Sequence, residues 1–181
     1  MIRYQVDGSH STFGFAIKHL GVATVRGKFT KFAGAFEGPE ADMTAAKGEV
    51  KVEVASLTTE NEQRDAHLRS ADFFEADRYP YITFKLAGIE KSSDGYKIRG
   101  ELTIKDVTRP VVLDATVEGP VPDPFGGKER LGVTATGNVN RMDFGLNWDG
   151  IAGAVPVAAH NVKLDIDAAI VVTTAEPAAA R

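Results

Sequence analysis

Residues 162–172, VKLDIDAAIVV, form the longest alternating stretch of this sequence. Apolar side chains stand at every second position from Val162 to Val172, and the positions 163, 165 and 167 between them are charged. Successive side chains of a β-strand point to opposite faces, so this period of two indicates a strand that is buried on one face only. The stretch predicts a chain built from long, half-buried strands.

The same alternation recurs along most of the chain. Phe29 and Phe32 differ in parity within one of the repeated segments, which indicates a bulge or bend between them. The segments are joined mostly by turns too short for parallel crossovers, so we expect an antiparallel sheet. With a short additional strand near residues 4–6, the further alternating segments are residues 12–19, 25–36, 48–57, 82–86, 96–105, 111–117 and 131–139.

Eight one-sided strands fit a closed barrel or a two-sheet sandwich equally well by pattern alone. Two arguments favour closure. Open edges need a protection that these strands only partly show, and an eight-stranded barrel has an interior just large enough for side chains or one narrow ligand. We therefore predict an all-β fold with a minor helical segment, as an extended eight-stranded antiparallel β-barrel.

One long interruption separates the third alternating segment from the next, at residues 59–80. Thr59 and Glu62 have the spacing of a capping box, which predicts a helix over residues 60–70 with Thr59 as its N-cap. Tyr79 precedes Pro80 and should leave helical geometry, so a new strand is expected to begin at Tyr81. A helical crossover of this length in a β-protein is expected to cover part of the barrel.

The composition predicts a single domain over residues 1–172, followed by a disordered tail over residues 173–181.

The net charge of −4 disfavours nucleic acid as a partner, and no stretch is apolar enough for stable membrane insertion. Cysteine is absent, which excludes disulfides and thiolate metal sites. Without a recognisable leader we expect a cytoplasmic protein, or a periplasmic one if a leader has been removed; a homodimer is left open.

Several blocks of the sequence occur in the order typical of one family of barrel proteins. Any one block is weak evidence for that family, but the order of the blocks, together with the long block at residues 64–74, is specific evidence. The blocks are residues 7–13 (DGSHSTF), 17–21 (IKHLG), 25–29 (VRGKF), 64–74 (RDAHLRSADFF) with Tyr79-Pro80 and Thr83-Phe84, 100–104 (GELTI) and 141–145 (RMDFG).

On these blocks the chain resembles the YceI-like family, the polyisoprenoid-binding, lipocalin-like barrel proteins. The resemblance covers nearly the whole chain. It implies an eight-stranded barrel with a helical segment beside it, and a tunnel that takes a long isoprenoid or another amphiphilic lipid. Some members of the family carry a secretion signal, which this sequence as given does not show.

Strand parity adds a set of residues that should line such a tunnel. The inward faces mix bulky side chains with small ones, and small inward residues leave room where a solid core would need Leu or Ile. The alternative is that these side chains simply fill the barrel. The predicted lining residues are Phe13, Phe15, Ile17, Phe29, Val52, Ile82, Phe84, Ile98, Leu102, Leu113, Ala135, Ile166 and Ala168.

Four polar or aromatic residues are candidates for the mouth, where a ligand head group would lie. His19 shares the inward parity of its strand, and Arg64 lies three positions before His67 on the predicted helix. Trp148 lies in a glycine-rich segment, residues 145–159, that is either a flap or only a long hairpin connection. For Arg64 and His67 the alternative is a solvated helix face.

The histidines do not have the spacing of a metal site, since neither H-x-x-H nor H-E-x-x-H is present. No nucleophile motif and no nucleotide-binding loop is found, so we predict no cofactor, no metal and no catalytic residue. Two alternatives remain open. One is an enzyme that acts on a lipid head group with His19 or His67 as the base, oriented by Asp65 or Asp143; the other is a scaffold protein whose barrel is only a core.

Overall fold

The strands occupy most of the chain in the computed structural model, which describes residues 1–152 and 155–175. They are β1 (Ile2–Val6), β2 (Thr12–His19), β3 (Ala23–Phe29), β4 (Phe32–Gly38), β5 (Lys47–Glu53), β6 (Leu57–Thr58), β7 (Tyr81–Ser92), β8 (Gly95–Ile104), β9 (Val107–Pro122), β10 (Glu129–Asn140), β11 (Ile151–Ala152), β12 (Val155–Pro156) and β13 (Ala158–Thr174). The α-helix α1 spans Glu62–Arg69, and short 3₁₀ helices lie at Gly8–His10, Met43–Ala45, Val54–Ser56 and Arg141–Phe144.

The sheet closes through β13, which pairs with three strands. One of its edges pairs with β10 over most of its length. Its other edge pairs first with β2, up to Asp167 opposite Thr12, and then with β1, from Ile170 opposite Val6. Because β1 and β2 follow each other along the same edge, they act as one barrel strand with a break between them. All pairings are antiparallel.

Two neighbouring barrel strands are broken in the same way. β3 and β4 are separated at residues 30–31, and β5 and β6 at residues 54–56. The breaks lie side by side, since the backbone amide of Thr30 donates to the carbonyl of Ser56 at 3.3 Å. Counting each broken pair as one strand gives a closed barrel of eight strands, which confirms the predicted fold. The predicted bend between Phe29 and Phe32 is the break between β3 and β4.

The break between β1 and β2 is held by the carboxylate of Asp7. It accepts hydrogen bonds from Ser9 N at 3.0 Å, Ser9 Oγ at 2.6 Å, His10 Nδ1 at 2.9 Å and Arg130 Nη1 at 2.8 Å. The Ser9 hydroxyl, followed by Arg130 and His10, holds the pKa of Asp7 well below its usual range. The block at residues 7–11 is therefore a structural feature of the barrel wall.

The helical segment begins two residues later than predicted. Asn61 is the N-cap of α1, because its side-chain oxygen accepts from Arg64 N at 2.9 Å. Thr59, the predicted cap, is buried instead and donates through both its amide and its hydroxyl to the carboxylate of Asp65. The predicted cap is wrong because a buried acceptor on the helix outcompetes capping. The next strand, β7, begins at Tyr81 as predicted.

The end of the barrel that carries α1 and the 3₁₀ helix Arg141–Phe144 is called the helical end below. The three largest fully buried side chains of the described residues are Val54, Leu57 and Phe144, and Phe144 belongs to that 3₁₀ helix. At the opposite end, β13 continues to Thr174, which pairs with Ile2. The strand therefore runs two residues past the predicted domain boundary, and residues 176–181 of the predicted tail lie outside the described residues.

Candidate functional site

A cavity of about 740 Å³ runs along the inside of the barrel. It extends from Tyr4 and Met43 near the opposite end to His19 and Arg64 at the helical end. Ala158 and Ile170, twelve positions apart on β13, both line it. At ~3.3 Å per residue these two positions are roughly 40 Å apart along the strand, and roughly 30 Å along a barrel whose strands tilt by about 40°. The cavity is therefore long, and its volume is typical of ligand sites, which are about 300–1,000 Å³.

The inward faces of the strands form the cavity wall, as strand parity predicts. All thirteen predicted lining residues line this single cavity: Phe13, Phe15, Ile17, Phe29, Val52, Ile82, Phe84, Ile98, Leu102, Leu113, Ala135, Ile166 and Ala168. The four predicted mouth residues His19, Arg64, His67 and Trp148 also line it. Whether they contact a ligand stays a prediction.

Inward glycines explain why large side chains do not fill the barrel. The ring of Phe15 lies against Gly27 on the paired strand, where an added Cβ would be 2.3 Å from Phe15 Cζ. The ring of Phe84 lies against Gly100 in the same way, with a corresponding distance of 2.1 Å. Each ring occupies the space that a side chain on the neighbouring strand would otherwise take. The rings therefore lie along the wall and leave the centre open.

The helical end contributes lining residues that parity could not identify. Phe73, Phe74, Phe144 and Leu146 lie outside the regular strands, and all four line the cavity. The one available signal was the pair Phe73-Phe74 in an otherwise charged segment. Side chains outside a regular strand have no period of two, so their direction depends on the tertiary fold.

Two arginines of the helical segment bond to backbone carbonyls, and one of them attaches the segment to the barrel. Arg69 donates from Nη2 to the carbonyl of Leu57 at 2.7 Å and from Nε to that of Ala55 at 3.2 Å. Arg64 donates from Nε to Thr59 Oγ1 at 2.7 Å and from Nη2 to the Thr59 carbonyl at 2.9 Å. Arg69 thus fixes the helix to the end of the third barrel strand, whereas Arg64 is held at the cavity mouth.

His67 belongs to an aromatic cluster at the mouth. Its ring makes edge-to-face contacts with Phe73 and Trp148, each at 5.1 Å between centroids, and Phe73 and Trp148 lie 5.5 Å apart. His67 Nε2 lies 2.8 Å from the carboxylate of Asp72. The side chain of His67 is 40% exposed, so it is half-buried in the cavity wall. That it holds a ligand head group stays a prediction.

Arg141 fixes the segment that follows the 3₁₀ helix. It is 3% exposed, and its guanidinium donates to four backbone carbonyls, those of Leu146, Trp148, Ala158 and Ala159. Burial lowers the pKa of Arg141, while the carboxylate of Asp149, 3.7 Å away, opposes that effect. These bonds hold both sides of the connection to β13 together. The beginning and end of the predicted flap are therefore attached to the barrel.

Basic side chains line the cavity in the described part of the chain, and no carboxylate lines it there. The basic residues are Lys18, His19, Arg64, His67 and Arg141, and the other ionisable residues of the lining are Tyr4 and Tyr96. At the opposite end, burial raises the pKa of Tyr4, and the carboxylates of Asp42, Glu129 and Glu40 raise it further. The two ends of the cavity therefore differ in the charged side chains around them, with carboxylates near Tyr4 and basic residues at the helical end.

The described residues also bear on two other features, a metal site and a membrane-spanning helix. Within residues 1–152 and 155–175, no group of three or more His, Asp or Glu side chains could hold a metal ion. Over those residues the structure has no helix both long and apolar enough to cross a membrane.

Comparison with known proteins extends over the same part of the chain. The profile of the YceI-like domain matches residues 4–170. Protein YceI of Shigella flexneri is 39% identical over 148 residues, or 81% of this chain and 77% of the relative. The crystal structure of the Campylobacter jejuni YCEI protein has a TM-score of 0.68 at 32% identity and covers 84% of this chain and 88% of that one. A polyisoprenoid binding domain from Saccharophagus degradans shares the fold, with a TM-score of 0.65 at 15% identity over 93% and 97% of the two chains.

Proposed function

The chain belongs to the YceI-like family, and from that premise we propose that it binds a long-chain isoprenoid lipid, or a similar amphiphile, inside the barrel without changing it chemically. The observation that carries the proposal is the long apolar cavity of about 740 Å³. The relative from Saccharophagus degradans, described as polyisoprenoid binding, supports the choice of ligand class. Sequestration or carriage of the lipid is the role proposed for the protein.

The energetics favour recognition of the ligand tail. Burying one CH₂ group contributes about 0.8 kcal/mol, so a five-carbon isoprene unit contributes on the order of 4 kcal/mol. A neutral hydrogen bond to a head group contributes only about 1 kcal/mol net. We therefore expect the tail to set most of the affinity, and the head group to set the orientation.

The arrangement at the mouth supports a role in binding over one in catalysis. A histidine base on a lipid head group would need a carboxylate partner and a free ring nitrogen facing the substrate. Of the carboxylates expected to orient such a base, Asp65 is used by Thr59. His67 does have a carboxylate partner in Asp72, at Nε2, so the catalytic alternative now rests on that pair and no longer on Asp65. The edge-to-face contacts of its ring with Phe73 and Trp148 favour a place in the cavity wall.

The direct experiment is native mass spectrometry of protein purified without detergent, followed by organic extraction. We expect a mass excess over the 19.4 kDa chain that disappears on extraction and is recovered as a lipid with a long apolar chain. Protein that carries no such ligand, and takes up none from mixed isoprenoids, would contradict the proposal.

Filling the cavity should abolish lipid retention. Ala135 and Ala168 are 3% and 5% exposed and line the cavity, so Ala135→Phe or Ala168→Phe places a ring in the lumen. We expect loss of the co-purified lipid, with a stability loss of no more than about 1–3 kcal/mol because the ring enters open space. The matched control is Ala87→Phe on the exposed face of β7, which should keep the lipid. Unchanged retention in both cavity variants would mean that these positions do not line the ligand site.

A further inference from the structure

The charge of the cavity wall is the reverse of the charge of the whole chain. The sequence holds 25 acidic and 21 basic residues, yet within the described residues Lys, Arg and His line the cavity and no carboxylate does; the other ionisable groups there are the phenols of Tyr4 and Tyr96. A wall drawn at random from this composition would include carboxylates. A mouth whose polar residues served only to contact water would also tolerate carboxylates. The selection against carboxylates therefore points to the charge of the ligand.

Arg64 is held in a position to bind an anion. Its Nε and Nη2 donate to the two oxygens of Thr59, which orients the guanidinium while Nη1 makes no hydrogen bond to the described residues. Arg64 also forms no ion pair there, whereas Arg99 pairs with Glu90. The nearest carboxylate in its network, Asp65, is separated from it by the Thr59 hydroxyl. The guanidinium is thus preoriented and keeps free donor capacity.

The neighbouring groups at the mouth add donors. His19 ends β2 at the helical end with the inward parity of its strand, and it forms no ion pair within the described residues. The side-chain oxygen of Asn61 accepts from Arg64 N, which leaves the amide NH₂ group of Asn61 as a donor at the cavity. Carboxylates and phosphates are acceptors only, so a site rich in donors matches them better than it matches an alcohol or an amine.

The opposite end of the cavity, around Tyr4, disfavours an anionic head group. Glu40 and Glu129 line a smaller cavity of about 200 Å³, which shares Tyr4, Met43 and Leu131 with the main one. An anionic group at that end would lie near these carboxylates and near Asp42, although Lys128 pairs with Glu40. The interaction energy of an anionic head is favourable beside the basic residues of the helical end and unfavourable beside the carboxylates near Tyr4. This difference sets the direction in which the ligand binds.

We infer that the ligand is a single-chain amphiphile with an anionic head, a carboxylate or a phosphate, held at the helical end by Arg64 and His19 with its tail toward Tyr4. This inference rests on the proposed function and specifies the head group within it. A free lipid acid and an isoprenyl phosphate share the recognised chemistry, and the experiment has an arm for each.

In the test, delipidated protein is titrated with each of four sixteen-carbon amphiphiles. They differ only in the head group, which is a carboxylate, a phosphate, an alcohol or a trimethylammonium group. We expect one or both anions to bind at least ~10-fold more tightly than the alcohol, since charge-assisted hydrogen bonds are about twice as strong as neutral ones. The trimethylammonium compound should bind most weakly. Whichever anion binds more tightly identifies the source of the head group.

The variants separate the head-group contribution from the tail. Arg64→Gln should reduce anion affinity ~10-fold and leave the affinity for the alcohol within about twofold, since its charge-assisted bond is lost only with the anion. Lys163→Gln, an exposed lysine on the outer face of β13, is the matched control and should change neither. Equal weakening of anion and alcohol by Arg64→Gln would assign Arg64 a merely structural role and overturn the inference.

Orientation can be read from Trp148, because it is the single tryptophan of the chain and lies at the mouth. A fatty acid brominated beside the carboxylate should quench its fluorescence more strongly than one brominated at the terminal carbon. The reverse order would overturn the assigned direction. Equal affinity of alcohol and anion overturns the head-group inference alone, whereas failure of all four amphiphiles and of isoprenoids to bind removes the proposed function with it.

Discussion

Two glycines, Gly27 and Gly100, determine the width of the cavity at their levels. Each provides a flat piece of backbone against which a phenylalanine ring lies. A methyl group at either position would occupy the place of the ring, so the ring would have to swing toward the lumen. The openness of the barrel therefore depends on positions where the sequence has no side chain.

We expect Gly100→Ala to destabilise the protein and narrow the cavity. The new Cβ would be 2.1 Å from Phe84 Cζ, which forces the ring off the wall. Overpacking of this kind destabilises by about 1–3 kcal/mol, and the displaced ring should reduce the amount of retained lipid. Denaturant unfolding and lipid extraction measure the two effects.

Gly88→Ala on the adjacent strand β7 is the matched control for that substitution. Nothing lies within 4 Å of an added Cβ at Gly88, so we expect a change within about 0.5 kcal/mol. Combining Gly100→Ala with Phe84→Leu should recover most of the lost stability, because the clashing ring is removed. Equal effects of the two glycine substitutions would show that the ring contact is unimportant.

Asp7 should make the stability depend on acid pH. Its folded pKa lies well below the value of about 3.9 expected in the unfolded chain, because Ser9, Arg130 and His10 bond its carboxylate. Below about pH 4 the unfolded state therefore binds a proton that the folded state does not. The contribution of Asp7 is fully present above about pH 5 and is lost as the pH falls through the folded pKa.

The measurement for Asp7 is urea unfolding of the wild type and of Asp7→Asn between pH 7 and pH 3. We expect the variant to be less stable by on the order of 1–3 kcal/mol at neutral pH, with a difference that shrinks below about pH 4. Asp167→Asn, on the exposed face of β13, is the control and should show little difference. A difference between wild type and Asp7→Asn that stays constant over this range contradicts the assignment.

At the scale of elements, the helical end is assembled by side chains that bond to backbone carbonyls. Arg69 joins α1 to the end of the third barrel strand, and Arg141 joins the segment around Trp148 to the start of β13. Neither attachment relies on a regular ladder of hydrogen bonds. The irregular segments at this end therefore depend on a few buried or half-buried arginines.

We expect Arg141→Met to release the connection that carries Trp148. Four carbonyls lose their donor, which should destabilise the protein by at least about 3 kcal/mol, since hydrogen bonds to a charged group contribute about 1.5–3 kcal/mol each. Limited digestion with chymotrypsin should then cut after Trp148 faster than in the wild type. Arg109→Met, at an exposed position in β9, is the control. Continued protection of Trp148 in Arg141→Met would contradict the role assigned to Arg141.

At the scale of the whole molecule, the strand pattern predicts the barrel and most of its wall. A period of two assigns each side chain to a face, so every lining residue named from parity, from Phe13 to Ala168, lies on the cavity. The same local information fails where a contact joins distant parts of the chain. Arg130 bonds to Asp7 across 123 positions, and no pattern near either residue indicates it. The predicted cap at Thr59 is wrong for a local reason, because the carboxylate of Asp65, six positions away, accepts from its amide and its hydroxyl.

The open interior itself could not be read from periodicity. Inward parity says which side chains point to the centre, but not whether they meet there. That depends on registers such as Phe15 opposite Gly27, which are fixed only when the strands pair. The family resemblance supplied the expectation of a tunnel, and the paired glycines supply its physical reason.

The three strand breaks at residues 7–11, 30–31 and 54–56 lie on adjacent strands of one side of the wall. Such breaks bend a strand, whereas β8, β9 and β10 on the other side are each continuous in sequence. We therefore expect the lumen between these two sides to curve. A chain with rotatable single bonds can follow a curve that a rigid fused-ring molecule of the same volume cannot. Under the proposed function we expect the barrel to select its ligands by stiffness as well as by volume and polarity.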